Sequence, residues 1–222
     1  MQAKMPLTLF DLDNTLITHD SDFLWGQYLV EHKIVDAAHY AEKNRQFFED
    51  YEKGNLNIDL YLKFALKPLS EHPVQQLYRW REDFIRHQIQ PIIAKGAGAI
   101  IQKHRQLGDT LMIISATNLF ITQPIAELLD IPNILSTEPE MINGRYTGNY
   151  IGTPTFQLGK VKVLNEWLKN HQMDLSGSTF YSDSHNDLPL LEQVEFPVAV
   201  NPDQILRQTA ETRHWPILDL RN

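Results

Sequence analysis

Apolar and polar positions alternate along this chain in two textures. Short aliphatic or β-branched runs occur at Leu7 to Phe10, Leu111 to Ile114, Thr179 to Tyr181 and Phe196 to Val200, each bounded by Ser, Asp, Asn or Gly. Runs of that length and composition predict strands of a parallel sheet buried on both faces. Between them lie helical patterns. Val161, Leu164 and Leu168 share one face of a segment that starts near Lys160, and Ile92 to Leu107 is predicted helical up to a stop at Gly108. Asn201-Pro202 opens a further helix into Ile205 and Leu206. Strands alternating with helices predict a doubly wound, Rossmann-like α/β fold with a mostly parallel sheet.

Residues 17–90 contain no strand pattern. Ile58, Tyr61, Leu62, Ala65 and Leu66 keep helical spacing, as do Val74, Leu77, Tyr78, Phe84 and Ile85. Asp22 to His32 and Tyr40 to Tyr51 read the same way. An all-helical insertion over 17–90 is therefore expected within an α/β core formed by 1–16 and 91–222. Asn143-Gly144, between Glu140-Met141-Ile142 and Arg145-Tyr146-Thr147, predicts a small β-hairpin, because Asn-Gly adopts the positive φ values that a two-residue turn needs.

Composition narrows the function classes. With 222 residues the chain is long enough to bury a sizeable core, and 42% hydrophobic and 22% charged residues are ordinary globular usage. A formal charge of −8 without a Lys/Arg stripe excludes a general nucleic-acid binder. Cysteine is absent, which removes disulfides and thiolate metal sites. No leader-like apolar segment precedes Asp11 and no run of eighteen apolar residues occurs, so a soluble cytoplasmic protein without membrane attachment is expected. Oligomeric state is not legible.

Chemistry concentrates where the predicted strands end. Asp11-Leu12-Asp13-Asn14-Thr15 follows the first strand and delivers two carboxylates to the edge where open α/β sheets bind ligands. Two such charges about 4 Å apart repel by roughly 4 kcal/mol at an effective dielectric near 20, which calls for a cation or a proton between them. A calcium loop is ruled out, since Leu16 stands where its sixth-position glycine belongs. Ser115-Ala116-Thr117-Asn118 follows the second strand, where a hydroxyl and free backbone N–H groups at a strand-to-helix turn would cradle a phosphate. Lys160 follows Gly159, and Asp183-Ser184-His185-Asn186-Asp187 ends the third strand.

FDLDNTL, IISATN, the lysine of GKVKVL and YSDSHNDLPLL, in this order and at these separations, resemble the four motifs of the haloacid dehalogenase superfamily. The helical stretch after the first motif is similar to the cap of its phosphoserine-phosphatase-like branch, subfamily IB. The resemblance implies a Mg²⁺-dependent phosphatase acting on a small phosphorylated metabolite. Asp11 would be the nucleophile that forms an aspartyl-phosphate. Asp13 would be the acid and then the base, its backbone carbonyl also holding the metal. Ser115, with backbone N–H groups of Ala116 and Asn118, would bind phosphoryl oxygens together with Lys160. Asp183 would complete the Mg²⁺ ligands with Asp11, and Asp187 and Asn186 would support that loop. Hard oxygen ligands suit Mg²⁺.

Bland alternatives stand beside these roles. Lys162 and Lys169 compete with Lys160, and Asp187 could cap the helix that carries Leu188, Leu190 and Leu191. Most of the nine histidines are expected at the surface, with His19 and His185 near the pocket, while Tyr61, Phe64, Tyr78 and Trp80 are expected to pack among helices. By the resemblance Asp20 or Asp22 would bind a substrate ammonium. The arginine that holds a substrate carboxylate in phosphoserine phosphatases has no counterpart in GNLNIDLYLKFALKPL, which offers Lys63 and Lys67, although Arg45, Arg79, Arg81 and Arg86 lie on other helices. A phosphomonoester with an amine and no carboxylate, such as histidinol phosphate, is thus an alternative to phosphoserine. Phosphoryl transfer to an acceptor alcohol, and non-catalytic binding of a phosphometabolite, remain as further classes.

Overall fold

A computed structural model describes residues 5–222, with the side chain of His39 outside that description. The N-terminal reading and the start of the expected core segment fall partly on residues 1–4 and lie outside the described residues. The chain forms β1 (Leu7–Phe10), then α1 (Ser21–Glu31), α2 (Ala37–Glu52), α3 (Ile58–Glu71) and α4 (Val74–Phe84). A π-helical turn at Ile85–Ile89 and a 3₁₀ turn at Gln90–Ile92 lead to α5 (Ala97–Leu107). There follow β2 (Thr110–Asn118), α6 (Leu119–Leu128), β3 (Asn133–Ile142), β4 (Arg145–Ile151), α7 (Leu158–His171), β5 (Thr179–Ser182), α8 (Leu188–Leu191), β6 (Phe196–Val200), α9 (Gln204–Arg213) and β7 (Ile217–Leu218).

The seven strands form one sheet in the order β4-β3-β2-β1-β5-β6-β7, parallel throughout except for the β3/β4 hairpin. From central β1 the chain returns to the sheet first on one side, as β2, and later on the other, as β5. Such a switch in direction opens a crevice beyond the C-terminal strand ends, where a ligand fits. β1 is buried at all four positions because both faces are covered. Leu7 and Leu9 join Met112, Ile114, Leu164 and Phe180 on one face, whereas Phe10 joins Ile113 and the α1, α3 and α4 residues Trp25, Leu66 and Phe84 on the other. The side-chain period of two thus gives one strand two cores.

Several expectations change. The helix expected from Ile92 begins only at Ala97, because Ile93 and Ala94 turn back to the first loop: Ile17 bridges Ile93, and the Ala94 N–H donates to the Leu16 carbonyl at 2.9 Å. The hairpin is longer than its turn signal, since the start of β3 pairs with β2 in parallel. That segment is only half buried and carries no strong apolar run. β7 is two residues long, too short to leave a pattern. Among the described residues no helix is long and apolar enough to cross a membrane.

Gly159 sets the entrance to α7. A Cβ there would lie 1.9 Å from the Pro154 carbonyl oxygen, so any side chain forces the backbone apart one residue before Lys160. At Gly98, inside α5, a Cβ would meet nothing within 4 Å. Gly159→Ala is expected to lower the unfolding free energy by about 1–3 kcal/mol or more, and Gly98→Ala to raise it by about 0.5–1 kcal/mol, both read from urea unfolding. Equal effects at the two positions would refute the steric assignment.

Candidate active site

The site is built from the carboxyl ends of the three central strands. Pairing continues one residue beyond β1, where the Asp11 N–H donates to the Tyr181 carbonyl at 2.8 Å. The chain then folds on itself. The Leu12 carbonyl accepts N–H groups of Thr15, Leu16 and Ile17, and Asn14 sits at φ +54°, a left-handed conformation that Asn tolerates. This turn holds Asp11 and Asp13 beside the ends of β2 and β5.

Lys160 is buried, with its ammonium 2.8 Å from Asp11 Oδ1 and 2.7 Å from Asp187 Oδ1. Asp187 also accepts from the Ser182 hydroxyl at 2.7 Å. Burial by itself would lower the Lys160 ammonium, but the charges of Asp11 and Asp187 outweigh it and hold the group above lysine's ordinary value. Lys162 and Lys169, on the same helix, are exposed. Asp187 precedes α8 but makes no side-chain cap there. Its carboxylate is committed to Lys160.

Asp13 is oriented by three donors: the Ser21 N–H at 2.7 Å on Oδ1, and the Thr117 and Ser115 hydroxyls at 2.8 and 3.4 Å on Oδ2. Ser115, Ala116 and Asn118 do not form a strand-to-helix turn as expected. β2 continues through Asn118, with a register irregularity against β3 between Ile114 and Asn118, and α6 starts at Leu119. Thr117, not singled out by the sequence pattern, makes the shorter hydroxyl contact to Asp13. A hydroxyl two residues beyond Ser115 on one strand shares its face, which is the signal that could have found it.

Asp183 accepts from the Thr15 hydroxyl at 3.3 Å. Burial, then the charges of Asp11 and Asp187, push its carboxyl well above the ordinary value. Asp11 is raised to about 7, chiefly by burial, with Asp187 and Asp13 adding to the rise and Lys160 opposing it. Asp11 and Asp187 are buried around one buried ammonium, and half-buried Asp183 adds a third carboxylate, an excess of negative charge made of hard oxygens that fits a divalent cation such as Mg²⁺. Among the described residues no group of three or more Asp, Glu or His side chains is placed to hold a metal ion. An ion here would rest on the Asp11 and Asp183 side chains, with water and substrate oxygens as its other ligands.

Beside the site opens a cavity whose walls include Asp11, Asp13, Ala116 and Thr117 on the sheet side. The helices contribute Asp20, Asp22, Phe23, Phe47, Tyr51 and Tyr61. Asp20 caps α1 by accepting the Phe23 N–H at 2.7 Å. Tyr61 packs against Phe47 as expected, and it also lines the cavity, where its hydroxyl donates to Asp22 Oδ2 at 2.6 Å. Asn186 ties the loops together: it donates to the Tyr51 carbonyl at 3.1 Å and accepts from Gln157 at 2.9 Å.

Other candidates lie elsewhere. His19 is exposed, bonded to the neighbouring Thr18 hydroxyl at 2.8 Å, and takes no part in the cavity wall. His185 pairs with Asp203 at 2.8 Å. His104 is buried, against the surface expectation, because Asp109, Thr8 and the Tyr181 hydroxyl satisfy its ring. Lys63, Lys67, Arg45, Arg79, Arg81 and Arg86 are all absent from the cavity wall. Arg81 instead donates to the Phe120 carbonyl at 2.9 Å and stacks on Tyr78 and Phe120.

Comparison with known proteins agrees with this architecture. The family of haloacid dehalogenase-like hydrolases matches residues 8–192. A histidinol-phosphatase of Neisseria meningitidis serogroup C (strain 8013) is 45% identical over 219 residues, covering 97% of this chain and 99% of the relative. A protein of unknown function from Bordetella pertussis Tohama I superposes with a TM-score of 0.92 at 39% identity, covering 98% of this chain and all of that one. A substrate-bound phosphoserine phosphatase shares the fold at a TM-score of 0.72 and 18% identity, over 100% of this chain and 95% of that one. With its carboxylates gathered at the ends of three parallel strands, the chain belongs to the haloacid dehalogenase-like hydrolases and is a phosphatase of that family acting on small phosphate monoesters.

Proposed function

We propose that the chain hydrolyses its phosphomonoester in two steps through an aspartyl-phosphate on Asp11. An Asp11 oxygen attacks phosphorus while the bond to the alcohol oxygen breaks, and Asp13 gives that oxygen its proton. Asp13 then takes a proton from water as the water attacks phosphorus, releasing phosphate and regenerating the Asp11 carboxylate. Lys160 fixes the Asp11 carboxylate and offsets negative charge on the transferred group, with Ser115 and backbone N–H groups of Ala116 and Asn118 as phosphoryl ligands. Mg²⁺, held by Asp11, Asp183 and the Asp13 carbonyl, would supply charge neutralisation at the phosphoryl oxygens. The observation that carries this reading is the buried Lys160 bridging Asp11 and Asp187 within 2.8 Å.

The leaving alcohol is read from the cavity. Among the described residues its wall carries Asp11, Asp13, Asp20 and Asp22 and no lysine or arginine. A leaving group with a carboxylate would meet like charge worth roughly 3–4 kcal/mol at 4–5 Å and an effective dielectric near 20. An amine would be attracted by as much. We infer a substrate bearing an ammonium and no carboxylate, a class that contains histidinol phosphate and excludes phosphoserine. The relative of N. meningitidis, similar over almost its whole length, is called a histidinol-phosphatase. The helices of residues 17–90 act as the cap that closes over this group and keeps bulk water out.

Asp11→Asn is expected to cut phosphate release from histidinol phosphate by at least about 10³-fold while the protein stays folded; retained turnover would assign the nucleophile elsewhere. Mg²⁺ at a hundred times its Kd is expected to stabilise the fold by about 2.7 kcal/mol, seen as a Tm rise when metal is restored after chelation, and an unmoved Tm would contradict the ion site. The kcat/KM for histidinol phosphate is expected to exceed that for phosphoserine by roughly 100-fold or more, and parity would remove the electrostatic argument. Asp22, raised from 3.8 to about 6 mainly by burial, makes a separate prediction. Its carboxyl keeps a proton in the fold at pH values where the unfolded chain has lost it, so stability falls as pH rises from about 4 to 6. Asp22→Asn removes that loss. Relative to its effect at pH 3.5, the variant is expected to gain about 1–3 kcal/mol above pH 6.5, measured by urea unfolding across pH.

A further inference from the structure

Asp22 is not accounted for by hydrolysis or by helix capping. Asp20 already caps α1, yet Asp22 lies two residues further on in the first turn, 6% exposed, on the cavity wall. Its two oxygens meet donors from two other elements: the Tyr61 hydroxyl of α3 on Oδ2 at 2.6 Å and the Asn118 amide at the end of β2 on Oδ1 at 3.3 Å. Both donors are neutral. A buried carboxylate held by neutral groups alone is costly, and it persists where something else supplies the positive charge. The second observation points the same way. Asn118 Oδ1 is buried without a hydrogen-bond partner, although the other end of the same amide is bonded to Asp22. Asn118 thus gives its donor to Asp22 and leaves its own acceptor without a partner among the described residues.

The surroundings select the shape of the group that would supply the positive charge. Phe47 stands edge-on to Tyr61 with ring centroids 5.4 Å apart, and Phe23 packs on Phe48 at 4.8 Å. These four side chains line the same cavity as Asp22. Aromatic walls favour a flat, weakly basic ring over a flexible alkylammonium, because ring faces attract both cations and other rings. An imidazole meets each demand. It is flat, donates at least one N–H in either protonation state, and becomes a cation beside a carboxylate.

We propose that Asp22, Tyr61 and Asn118 form a specificity site for a heteroaromatic N–H on the leaving alcohol, distinct from Asp20, which takes the primary ammonium. This rests on the amine-bearing substrate proposed above and divides its recognition between two carboxylates. Asp22 accepts the ring N–H, while the Asn118 amide on one oxygen and the Tyr61 hydroxyl on the other hold its carboxylate in place. Tyr61 comes from the inserted helices and Asn118 from the sheet, so the site is complete only with both in place.

The test compares two short-chain primary amines, one ending in an imidazole ring and the other in a methyl group. Titration calorimetry of the Mg²⁺-loaded protein with histamine and with propylamine is expected to give at least tenfold tighter binding of histamine. Asp22→Asn is expected to erase that preference, and Tyr61→Phe, which keeps the carboxylate but loses the donor, to reduce it severalfold. The parallel kinetic readout is a fall in kcat/KM for histidinol phosphate at least tenfold larger than the fall for p-nitrophenyl phosphate in Asp22→Asn, carried by KM. Urea unfolding of each variant establishes that it folds. Equal binding of the two amines by the parent protein, or a preference that survives Asp22→Asn, would overturn the proposal. Failure of the substrate reading has a different signature: the parent prefers histamine but does not hydrolyse histidinol phosphate.

Discussion

One buried cation holds the catalytic end of this molecule together. Lys160 reaches from α7 to carboxylates that follow β1 and β5, Asp11 and Asp187, at 2.8 and 2.7 Å. Without it the ends of β1 and β5 would carry only like charge in a water-poor setting, where an uncompensated carboxylate is strongly unfavourable. The position of Lys160 in turn depends on a residue with no side chain. Gly159 passes within contact distance of the Pro154 carbonyl, and only that close approach lets α7 start where its third residue points into the crevice.

The pair is not balanced, and the imbalance organises the site. Asp183 adds a third carboxylate, and its own carboxyl and that of Asp11 are pushed up by burial and mutual repulsion. A fold retains such strain where a ligand relieves it. The hydroxyl and amide donors around Asp13 follow the same logic, since Ser21 opens α1 while Ser115 and Thr117 lie on β2, and all three converge on one carboxylate.

The cavity repeats the pattern on the substrate side. Carboxylates line it, aromatic rings close it, and the positive side chains of the helices turn elsewhere, Arg81 to a carbonyl at the start of α6 and Lys67 to Glu71. In the function proposed above, phosphate chemistry at one end and cation recognition at the other would be met by one class of residue in two environments. Four acids share one wall, and what each does is set by its neighbours.

Much of the fold was legible because buried strands and amphipathic helices impose periods on a chain. The four apolar runs became strands of the sheet, the Asn-Gly turn became a hairpin, and the run of helices after Ile17 carried its spacing in plain view. β7 and the start of β3 were not, since a two-residue edge and a half-buried strand need no distinctive residues. The motif acids could be named because their chemistry needs particular groups at strand ends. Thr117 and the cavity role of Tyr61 could not, because a hydroxyl acquires its partner only when β2 runs past its expected end or when α3 folds over the sheet. By itself the sequence determined which elements form and which acids the strand ends carry, through local spacing and side-chain type. Only tertiary structure decided that Lys160 rather than Lys162 is buried, that no arginine enters the cavity, and that Asp22 meets Tyr61 and Asn118, because those outcomes depend on distances between residues that lie tens to more than a hundred positions apart.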